Sequence, residues 1–157
     1  GWLTDRHTNY PTTDISVYSI NQTYAFSSYI ATASKEHYEE DFVVWMNRAI
    51  ENRIFPVLRQ QYNVPNVPNM LKIKDLFVVK YSATSEHAQK ALQQHTDSSQ
   101  ISFNLMRSTQ YAGGGTRLER ANQTMYLQKG AMLSHPSKLY HSGEAITEGK
   151  RGIINPL

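Results

Sequence analysis

Apolar residues in one early part of the chain recur at steps of three and four, which is the spacing of an amphipathic helix. The pattern begins near Glu36 and runs through Phe42, Trp45, Met46, Ala49, Ile50, Ile54, Val57 and Leu58. Acidic residues crowd its first turns and arginines its later ones, which suits the helix dipole. Pro56 lacks an amide hydrogen, so we expect it to kink or end the helix near Phe55. The apolar stripe predicts a helix that packs against a sheet.

The rest of the chain alternates apolar and polar residues over short stretches, which predicts β-strands. Residues 63–69 are rich in Pro and Asn and predict a loop, and the polar stretch Ser82–Gln94 predicts another. Strands are predicted at Thr13–Val17, Leu71–Tyr81, Gln100–Met106, Thr116–Glu119, Met125–Leu127, Ala131–Ser134, Lys138–His141 and Arg151–Ile154. The Gly113–Gly115 run ends the strand that starts at Gln100. Many short strands with such punctuation predict an antiparallel sandwich or barrel, and the fold class is α+β, mainly β.

The length of 157 residues predicts a single domain, with helical support over about residues 20–62 and a strand-rich core over about residues 71–157. There are no cysteines, which excludes disulfides, zinc–thiolate sites and thiol catalysis. Any metal must therefore take His, Asp or Glu ligands. The formal net charge of +3 comes without a run of Lys or Arg, so nucleic acid is not an expected partner. No apolar run approaches the roughly 20 residues that a membrane span needs.

The chain begins at Gly1 rather than at Met, so we expect a catalytic piece of a longer protein or a processed chain. Sequons at Asn21 and Asn122 permit glycosylation only if the protein is secreted. The composition leaves the oligomeric state open.

His95-Thr96-Asp97 is followed by His141 and then by Arg151, and together these residue types point to a metal centre. Two neutral imidazoles and one carboxylate can hold Fe(II) on one side and leave three positions open. The spacing of His95 and Asp97 places both on one side of an extended strand end, and His141 must arrive from a facing strand. Arg151 can grip a carboxylate through a two-toothed contact. The pattern predicts an Fe(II) site that binds an oxo-acid such as 2-oxoglutarate.

The strand parity of these residues adds a condition. His95 and Asp97 have the opposite parity from Asn104, which lies in the next predicted strand. A turn or bulge near Ser98-Ser99 must re-phase the chain if all three side chains line one cavity.

Two features compete with this interpretation. His135 lies six residues before His141 and is the alternative ligand, but a strand-end histidine bonded to backbone is its simpler interpretation. The Gly113–Gly115 run has the look of a phosphate cradle, but neither Lys-Ser/Thr nor a helix follows it. A tight turn between strands is the better interpretation of the glycines.

An ordered series of motifs now makes the pattern specific. From about residue 10 to 154 the chain resembles the catalytic domain of procollagen lysyl hydroxylases and, more loosely, of prolyl 4-hydroxylases. The motifs that carry the resemblance are Tyr10–Ile15, Phe77–Tyr81, His95–Ser99, Ile101–Asn104, Tyr111–Thr116, Lys129–Pro136 and His141–Arg151. Each motif alone is weak, whereas the ordered set is highly specific.

The resemblance implies a double-stranded β-helix, the jelly roll that cupins also use. By it, His95, Asp97 and His141 match the iron ligands of the family, and Arg151 matches the anchor for 2-oxoglutarate. Tyr81 and Asn104 match positions that also contact this co-substrate. His135 falls on a non-ligand histidine of the family. The implied cofactor is Fe(II), with 2-oxoglutarate and O2 as co-substrates and ascorbate (vitamin C) as reductant.

The implied activity is that of a dioxygenase that hydroxylates an unactivated C–H bond on a prolyl or lysyl side chain of a peptide or protein. The same chemistry on a free amino acid or another small molecule is the first alternative, and a non-catalytic β-sandwich binding module is the second. A carboxylate at Asp97 argues against a halogenase, which needs that ligand position free for halide. The resemblance is compatible with the endoplasmic reticulum or the secretory pathway, and the sequence leaves localisation open.

The chain departs from the lysyl hydroxylases at three places. The stretch between Tyr81 and His95, which borders the substrate mouth in that family, is a few residues longer. Thr116 stands where those enzymes often have Cys, and Gly152 replaces an aromatic residue. The identity of the substrate therefore does not transfer.

Overall fold

The computed structural model describes residues 2–7, 9–19 and 45–156. Residues 1–16 and 75–157 form one compact unit, and residues 17–74 form a second. The described residues contain ten strands: β1 (Asp14–Ser19), β2 (Asp75–Ser82), β3 (Leu92–His95), β4 (Ile101–Met106), β5 (Tyr111–Gly113), β6 (Thr116–Leu118), β7 (Gln123–Met125), β8 (Met132–Pro136), β9 (His141–Gly143) and β10 (Ile146–Pro156).

The strands form two sheets whose neighbours are distant in sequence. The larger sheet has the order β1-β2-β10-β4-β8, with β5 also paired to β10, and the smaller has the order β3-β9-β6-β7. The pairs β2–β10, β4–β8, β3–β9 and β6–β9 are antiparallel. Because early strands pair with late ones in both sheets, the chain winds as a double-stranded β-helix. The mainly β jelly-roll fold that the resemblance implies is thereby confirmed.

The period-2 alternation of β2 and β10 explains which side chains lie inside. Phe77, Val79 and Tyr81 share one face of β2 and belong to one buried cluster with Ile153 of β10. The two strands pair so that Tyr81 lies opposite Arg151 and Val79 opposite Ile153. Arg151 therefore has the parity of a core position, and the strand pattern places this cation inside the molecule.

The second unit contains a helix that continues past the expected stop. Residues 45–49 are helical, Ile50–Ile54 form a π-helical turn, and α1 (Phe55–Tyr62) follows. The Phe55 amide donates to the Ile50 carbonyl, five residues back, and Pro56 occupies the first turn of α1, where no amide hydrogen is needed. The expected end of the helix near Phe55 is therefore wrong, whereas the alternative, a kink at this point, stays a prediction.

The predicted helix is described only in part, and some of its predicted apolar positions are exposed. Residues 20–44, with most of the predicted helical support, lie outside the described residues. Of the predicted apolar stripe, Trp45 and Val57 are exposed, whereas Met46, Ile50, Ile54 and Leu58 are buried. The packing of the helix against a sheet stays a prediction. No helix in the described ranges is long and apolar enough to cross a membrane.

Several strands begin or end a few residues away from their predicted bounds, because the turns between them were predicted wrongly. The strand expected to end at His141 instead begins there as β9, because residues 137–139 turn. The predicted loop Ser82–Gln94 contains most of β3, since pairing with β9 makes the polar residues Gln93 and Gln94 extended. β4 ends at Met106, and a separate strand, β5, precedes the glycine run.

Two further strands differ from their predicted bounds. The strand expected at Leu71–Tyr81 is β2, which starts only at Asp75, and the one expected at Arg151–Ile154 is part of the eleven-residue β10.

Candidate metal site and ligand cavity

The three predicted metal ligands converge at one end of the smaller sheet. His95 ends β3 and His141 begins β9, and the two residues lie opposite each other in the register. Asp97 follows β3, and its amide donates to the Ser137 carbonyl at 2.9 Å. Asp97 Oδ1 lies 3.5 Å from His95 Nε2, and Oδ2 lies 3.6 Å from His141 Nε2. One donor atom from each of the three buried residues lies within 4.8 Å of the others.

Backbone contacts set the orientation of both imidazoles. His95 Nδ1 lies 2.8 Å from the Gln93 carbonyl, and His141 Nδ1 lies 2.9 Å from the Leu139 carbonyl. A carbonyl can only accept, so each Nδ1 carries a hydrogen, and in a neutral imidazole with this tautomer Nε2 keeps its lone pair. Burial lowers the pKa of His141 to about 4, opposed by the Leu139 carbonyl. Two neutral imidazoles and a carboxylate are the donor set that a non-haem Fe(II) centre requires.

A group of serine hydroxyls holds the Asp97 carboxylate. Ser102 Oγ donates to Asp97 Oδ2, and Ser137 Oγ lies 2.8 Å from Ser102 Oγ. Ser99 Oγ lies 2.7 Å from Ser137 Oγ, so the hydroxyls form a chain behind the carboxylate. Ser102 and Ser137 are both buried. The sequence analysis did not assign these serines to the site, although Ser102 shares its strand face with Asn104 and was in that sense detectable.

Arg151 lies in the same cavity with most of its donors unpaired. Arg151 is 1% exposed, its Nη2 donates to Thr116 Oγ1 at 3.4 Å, and its Nε and Nη1 have no partner among the described residues. The guanidinium lies 5.2 Å from the centre of the Tyr81 ring. Within the described part of the chain Arg151 makes no ion pair. Buried guanidinium donors without partners are the complement of a carboxylate ligand.

Asn104, Tyr81 and Thr116 surround the guanidinium. Asn104 Nδ2 donates to Thr116 Oγ1 at 3.0 Å, the same oxygen that Arg151 contacts. Burial raises the pKa of Tyr81, with Arg151 acting in the opposite sense, so its phenol is neutral. Thr116 was noted in the sequence only as a departure from the family. The structure shows it to be the acceptor that both Asn104 and Arg151 contact.

One cavity connects the two groups of residues. Its volume is about 370 Å³, which is within the range of small-molecule sites. All six predicted site residues line it: Tyr81, His95, Asp97, Asn104, His141 and Arg151. The chain bends at residues 98–100, and this bend brings side chains of opposite strand parity to the same cavity. The N-terminal segment supplies further lining residues that the sequence analysis did not identify: Arg6, His7, Asn9, Tyr10 and Thr12.

His135 lies close to the site without being part of its donor group. Its ring centre is 4.3 Å from that of His141, and its Nδ1 donates to the Pro136 carbonyl at 3.0 Å. Among the described residues, the group of converging donors consists of His95, Asp97 and His141 alone. The His135 ring is tilted by 55° against that of the candidate ligand His141, and its Nδ1 is bonded to the backbone.

Comparison with known proteins places the fold. No family model matches the chain, and no curated protein does. An oxidoreductase of the 2OG-Fe(II) oxygenase family from Burkholderia pseudomallei superposes with a TM-score of 0.58 at 11% identity, over 72% of this chain and 53% of its own. A truncated viral collagen prolyl hydroxylase from Paramecium Bursaria Chlorella virus-1 superposes with a TM-score of 0.58 at 14% identity, over 92% of this chain and 72% of its own.

A cupin superfamily protein from Desulfitobacterium hafniense reaches a TM-score of 0.40 at 8% identity, over 52% of this chain and 63% of its own. The chain spans about half the length of the Burkholderia protein. It shares its fold with the Burkholderia and the viral structures.

Proposed function

We propose that the protein is an Fe(II)- and 2-oxoglutarate-dependent dioxygenase that hydroxylates an unactivated C–H bond on a prolyl or lysyl side chain of a peptide. One observation carries the proposal: a buried arginine with unpaired donors shares a cavity with two histidines and an aspartate whose donor atoms converge. A binding module has no need for both features in one cavity. A co-substrate with an oxo-acid group at one end and a carboxylate at the other needs both.

His95, Asp97 and His141 would hold the iron through Nε2, a carboxylate oxygen and Nε2. Their combined charge of −1 leaves one positive charge at Fe(II), which suits a chelating oxo-acid. Three ligands leave three positions, two for the oxo-acid and one for O2. When bound, Fe(II) with 2-oxoglutarate and O2 supplies the oxidising chemistry, and the chain's own residues bind, orient and exclude water.

Arg151 would bind the distal carboxylate of 2-oxoglutarate. Nη2 carries a second hydrogen besides the one that it donates to Thr116, and Nε and Nη1 have no partner among the described residues. Nη2 together with either Nε or Nη1 could therefore donate the two parallel hydrogen bonds that a guanidinium forms with a carboxylate. The Tyr81 ring lies beside the guanidinium. Since Arg151 is 1% exposed, a carboxylate that reaches it leaves bulk water and interacts strongly.

The peptide part of the proposal rests on two supports. The motif series resembles collagen-modifying hydroxylases, and the fold is similar to that of a viral collagen prolyl hydroxylase. Ascorbate as reductant belongs to the same proposal. Succinate release measured with and without ascorbate, at fixed Fe(II), tests that part separately.

A ligand series tests the proposal directly. Metal-loaded protein, kept free of O2, is titrated calorimetrically with 2-oxoglutarate and with pyruvate, which has the oxo-acid group but lacks the distal carboxylate. We expect 2-oxoglutarate to bind at least about 30-fold more tightly, since a partly buried charge-assisted pair contributes about 2 kcal/mol or more. Admission of O2 to the Fe(II) complex should then release succinate.

Two results would contradict the proposal. Equal affinity for pyruvate and 2-oxoglutarate would show that Arg151 does not bind the distal carboxylate. Absence of 2-oxoglutarate binding to protein that has bound metal would remove the dioxygenase function itself.

A further inference from the structure

Gly143 occupies a position in the cavity wall where a side chain would have no room. It ends β9, is buried and lines the cavity. A β-carbon built on its backbone would lie 2.9 Å from the Tyr81 phenol oxygen, 3.2 Å from Leu92 Cβ and 3.3 Å from the Leu92 amide nitrogen. Ordinary contacts of a β-carbon begin at 3.4 Å, so the phenol oxygen would have to move by about half an ångström. The close approach of the phenol to β9 therefore needs a glycine.

The space around Gly143, and not its backbone conformation, requires this glycine. Its φ is not positive, so other residues can adopt the same backbone. Gly143 pairs with Leu92 of β3 on one side and with Thr116 of β6 on the other. It has the strand parity of His141, so a side chain at this position would point to the same face of the sheet. The strand itself could thus hold a larger residue, whereas Tyr81 leaves no room for one.

The Tyr81 ring is too tightly packed to move aside freely. Tyr81 is 1% exposed and belongs to the buried cluster that also contains Phe77 and Val79. The Arg151 guanidinium lies 5.2 Å from the centre of the ring. A tyrosine has only two side-chain torsions, so a shift of its oxygen moves the whole ring within a closely packed interior. A side chain at Gly143 would therefore disturb the ring that lies beside Arg151.

The phenol oxygen lies near the arginine end of the cavity. Thr116, which is the register partner of Gly143, accepts a hydrogen bond from Arg151 Nη2 at 3.4 Å. Burial raises the pKa of Tyr81, so its phenol keeps its hydrogen at neutral pH. A neutral phenol is a hydrogen-bond donor. Tyr81 can therefore donate to a carboxylate that the guanidinium binds.

We infer that Gly143 is a positioning residue of the candidate site, because its missing side chain lets the Tyr81 phenol reach the place where it donates to the distal carboxylate of 2-oxoglutarate. The inference rests on the proposed function and adds a residue to its co-substrate site. Leu92 also crowds the position. An effect of a side chain on Tyr81 must therefore be separated from an effect on the strand.

A double-mutant cycle between Gly143 and Tyr81 makes this separation. The affinity for 2-oxoglutarate is measured calorimetrically, on metal-loaded protein without O2, for the wild type, Gly143→Ala, Tyr81→Phe and the double variant. Tyr81→Phe should weaken binding about tenfold or more, since it removes a hydrogen bond to a charged group. Gly143→Ala should weaken binding by a similar factor, because it displaces the phenol. In the Tyr81→Phe background, Gly143→Ala should change the affinity by less than about twofold, because the oxygen that the β-carbon would meet is gone.

Gly152→Ala is the matched control for the added methyl group. Gly152 is also a strand glycine without a positive φ, it neighbours Arg151, and it does not line the cavity. A β-carbon there would lie 3.3 Å from the Ser108 hydroxyl oxygen. This variant should bind 2-oxoglutarate as the wild type does.

Thermal unfolding of the metal-free proteins tests the contact without any ligand. Gly143→Ala should lower the midpoint temperature by roughly 3–10 °C, as expected when a methyl group is forced into a packed interior. The decrease should be smaller in the Tyr81→Phe background. Equal decreases in the two backgrounds would assign the strain to Leu92.

The outcomes separate this inference from the proposed function. Where 2-oxoglutarate binds, an equal loss of affinity on Gly143→Ala in both backgrounds would overturn the inference. An unchanged affinity in either single variant would do the same. If Gly143→Ala alone does not fold, a folded double variant supports the inference and an unfolded one overturns it. If the metal-loaded wild type does not bind 2-oxoglutarate, the dioxygenase proposal fails, and the thermal cycle decides whether Gly143 positions Tyr81.

Discussion

Asp97 and Arg151 are both buried charged residues that line one cavity, but they differ in their protein partners. The Asp97 carboxylate accepts from Ser102, with Ser137 and Ser99 behind it, and its backbone is bound at both its amide and its carbonyl. Arg151 donates one long hydrogen bond to Thr116, and two of its nitrogens have no partner in the described ranges 2–7, 9–19 and 45–156.

The difference shows which end of the cavity is complete. A metal ligand must be oriented before the metal arrives, and outer hydrogen bonds provide that orientation. A residue that recognises a ligand must keep its donors free for it, although this destabilises the unliganded protein. The hydroxyls therefore preorganise the Asp97 end, whereas the Arg151 end has unsatisfied polar groups that a carboxylate ligand would satisfy.

The largest effect is expected from removing the Arg151 guanidinium, which should weaken 2-oxoglutarate binding but not metal binding. Arg151→Ala should weaken 2-oxoglutarate binding by about 2–5 kcal/mol, or roughly 30- to several-thousand-fold, while metal affinity changes little. Arg151→Lys should be intermediate, because a point charge replaces the two-toothed contact. Calorimetric titration of the metal-free protein with metal, and of the metal-loaded protein with 2-oxoglutarate, measures the two affinities. Lys150→Ala is the matched control one residue away, and an equal loss there would move the anchor to Lys150.

Replacing a candidate metal ligand should affect the other end of the cavity, where the metal would bind. His141→Ala should weaken metal binding by about 3–4 kcal/mol, if each ligand contributes about a quarter of the free energy of a four-ligand zinc site. His87→Ala, in the loop before β3, is the control and should bind metal as the wild type does. In metal-loaded crystals His95, Asp97 and His141 should lie about 2.0–2.3 Å from the metal. A metal bound by His135, with His141 turned away, would contradict the assignment.

Acid should destabilise the metal-free protein through the same end. The pKa of His141 falls from 6.5 in the unfolded chain to about 4 in the folded one, mainly through burial. Since the unfolded state binds the proton first, this stability is fully present above pH 6.5 and is lost as pH falls towards 4. The expected loss is about 3 kcal/mol. Denaturant unfolding at several pH values measures it.

Replacing His141 isolates its contribution to the pH dependence of the stability. His141→Asn should remove about 3 kcal/mol of the acid-dependent loss, because the titrating group is gone. His87→Asn should keep the wild-type profile. An unchanged slope in His141→Asn would assign the acid sensitivity to other groups, with His7 the next candidate because burial lowers its pKa too.

The parts of the fold that followed from sequence are those with local causes. The alternation of Phe77, Val79 and Tyr81 marks the inner face of β2 without any tertiary information. The helix does not end before Pro56, because Pro56 lies in the first turn of α1 after a π-helical turn that has no sequence signature. β3 was missed because its extended shape comes from pairing with a strand about 50 residues away rather than from its own polar residues.

The candidate site divides in the same way. Residues whose side chains carry the chemistry, such as His95 and Arg151, were identifiable by type, spacing and resemblance. Thr116 and Ser137 were not, because their roles depend on contacts across strands that are distant in sequence. The position of Asn9 and Tyr10 in the cavity lining was also missed, since only the fold brings the N-terminal segment beside His95. Long-range proximity of ordinary polar residues leaves no local pattern to detect.

The smallest expected effect tests whether the Asp97 end is preorganised by its hydroxyls. Ser102→Ala removes the hydrogen bond to Asp97 Oδ2 and leaves the carboxylate freer to rotate. Metal affinity should fall about 10- to 100-fold, the range for outer partners of metal ligands. Ser102→Thr keeps the hydroxyl and should restore most of the affinity, whereas Ser85→Ala in an exposed loop should have no effect.

The effect of Ser102→Ala on 2-oxoglutarate binding is the sharper test. Because Ser102 contacts the metal end alone, Ser102→Ala at saturating metal should leave the preference for 2-oxoglutarate over pyruvate unchanged. Arg151→Ala should abolish that preference. If Ser102→Ala weakened the preference as strongly as it weakened metal binding, the two ends of the cavity would act as one unit. The contrast between a completed aspartate and an open arginine would then be wrong.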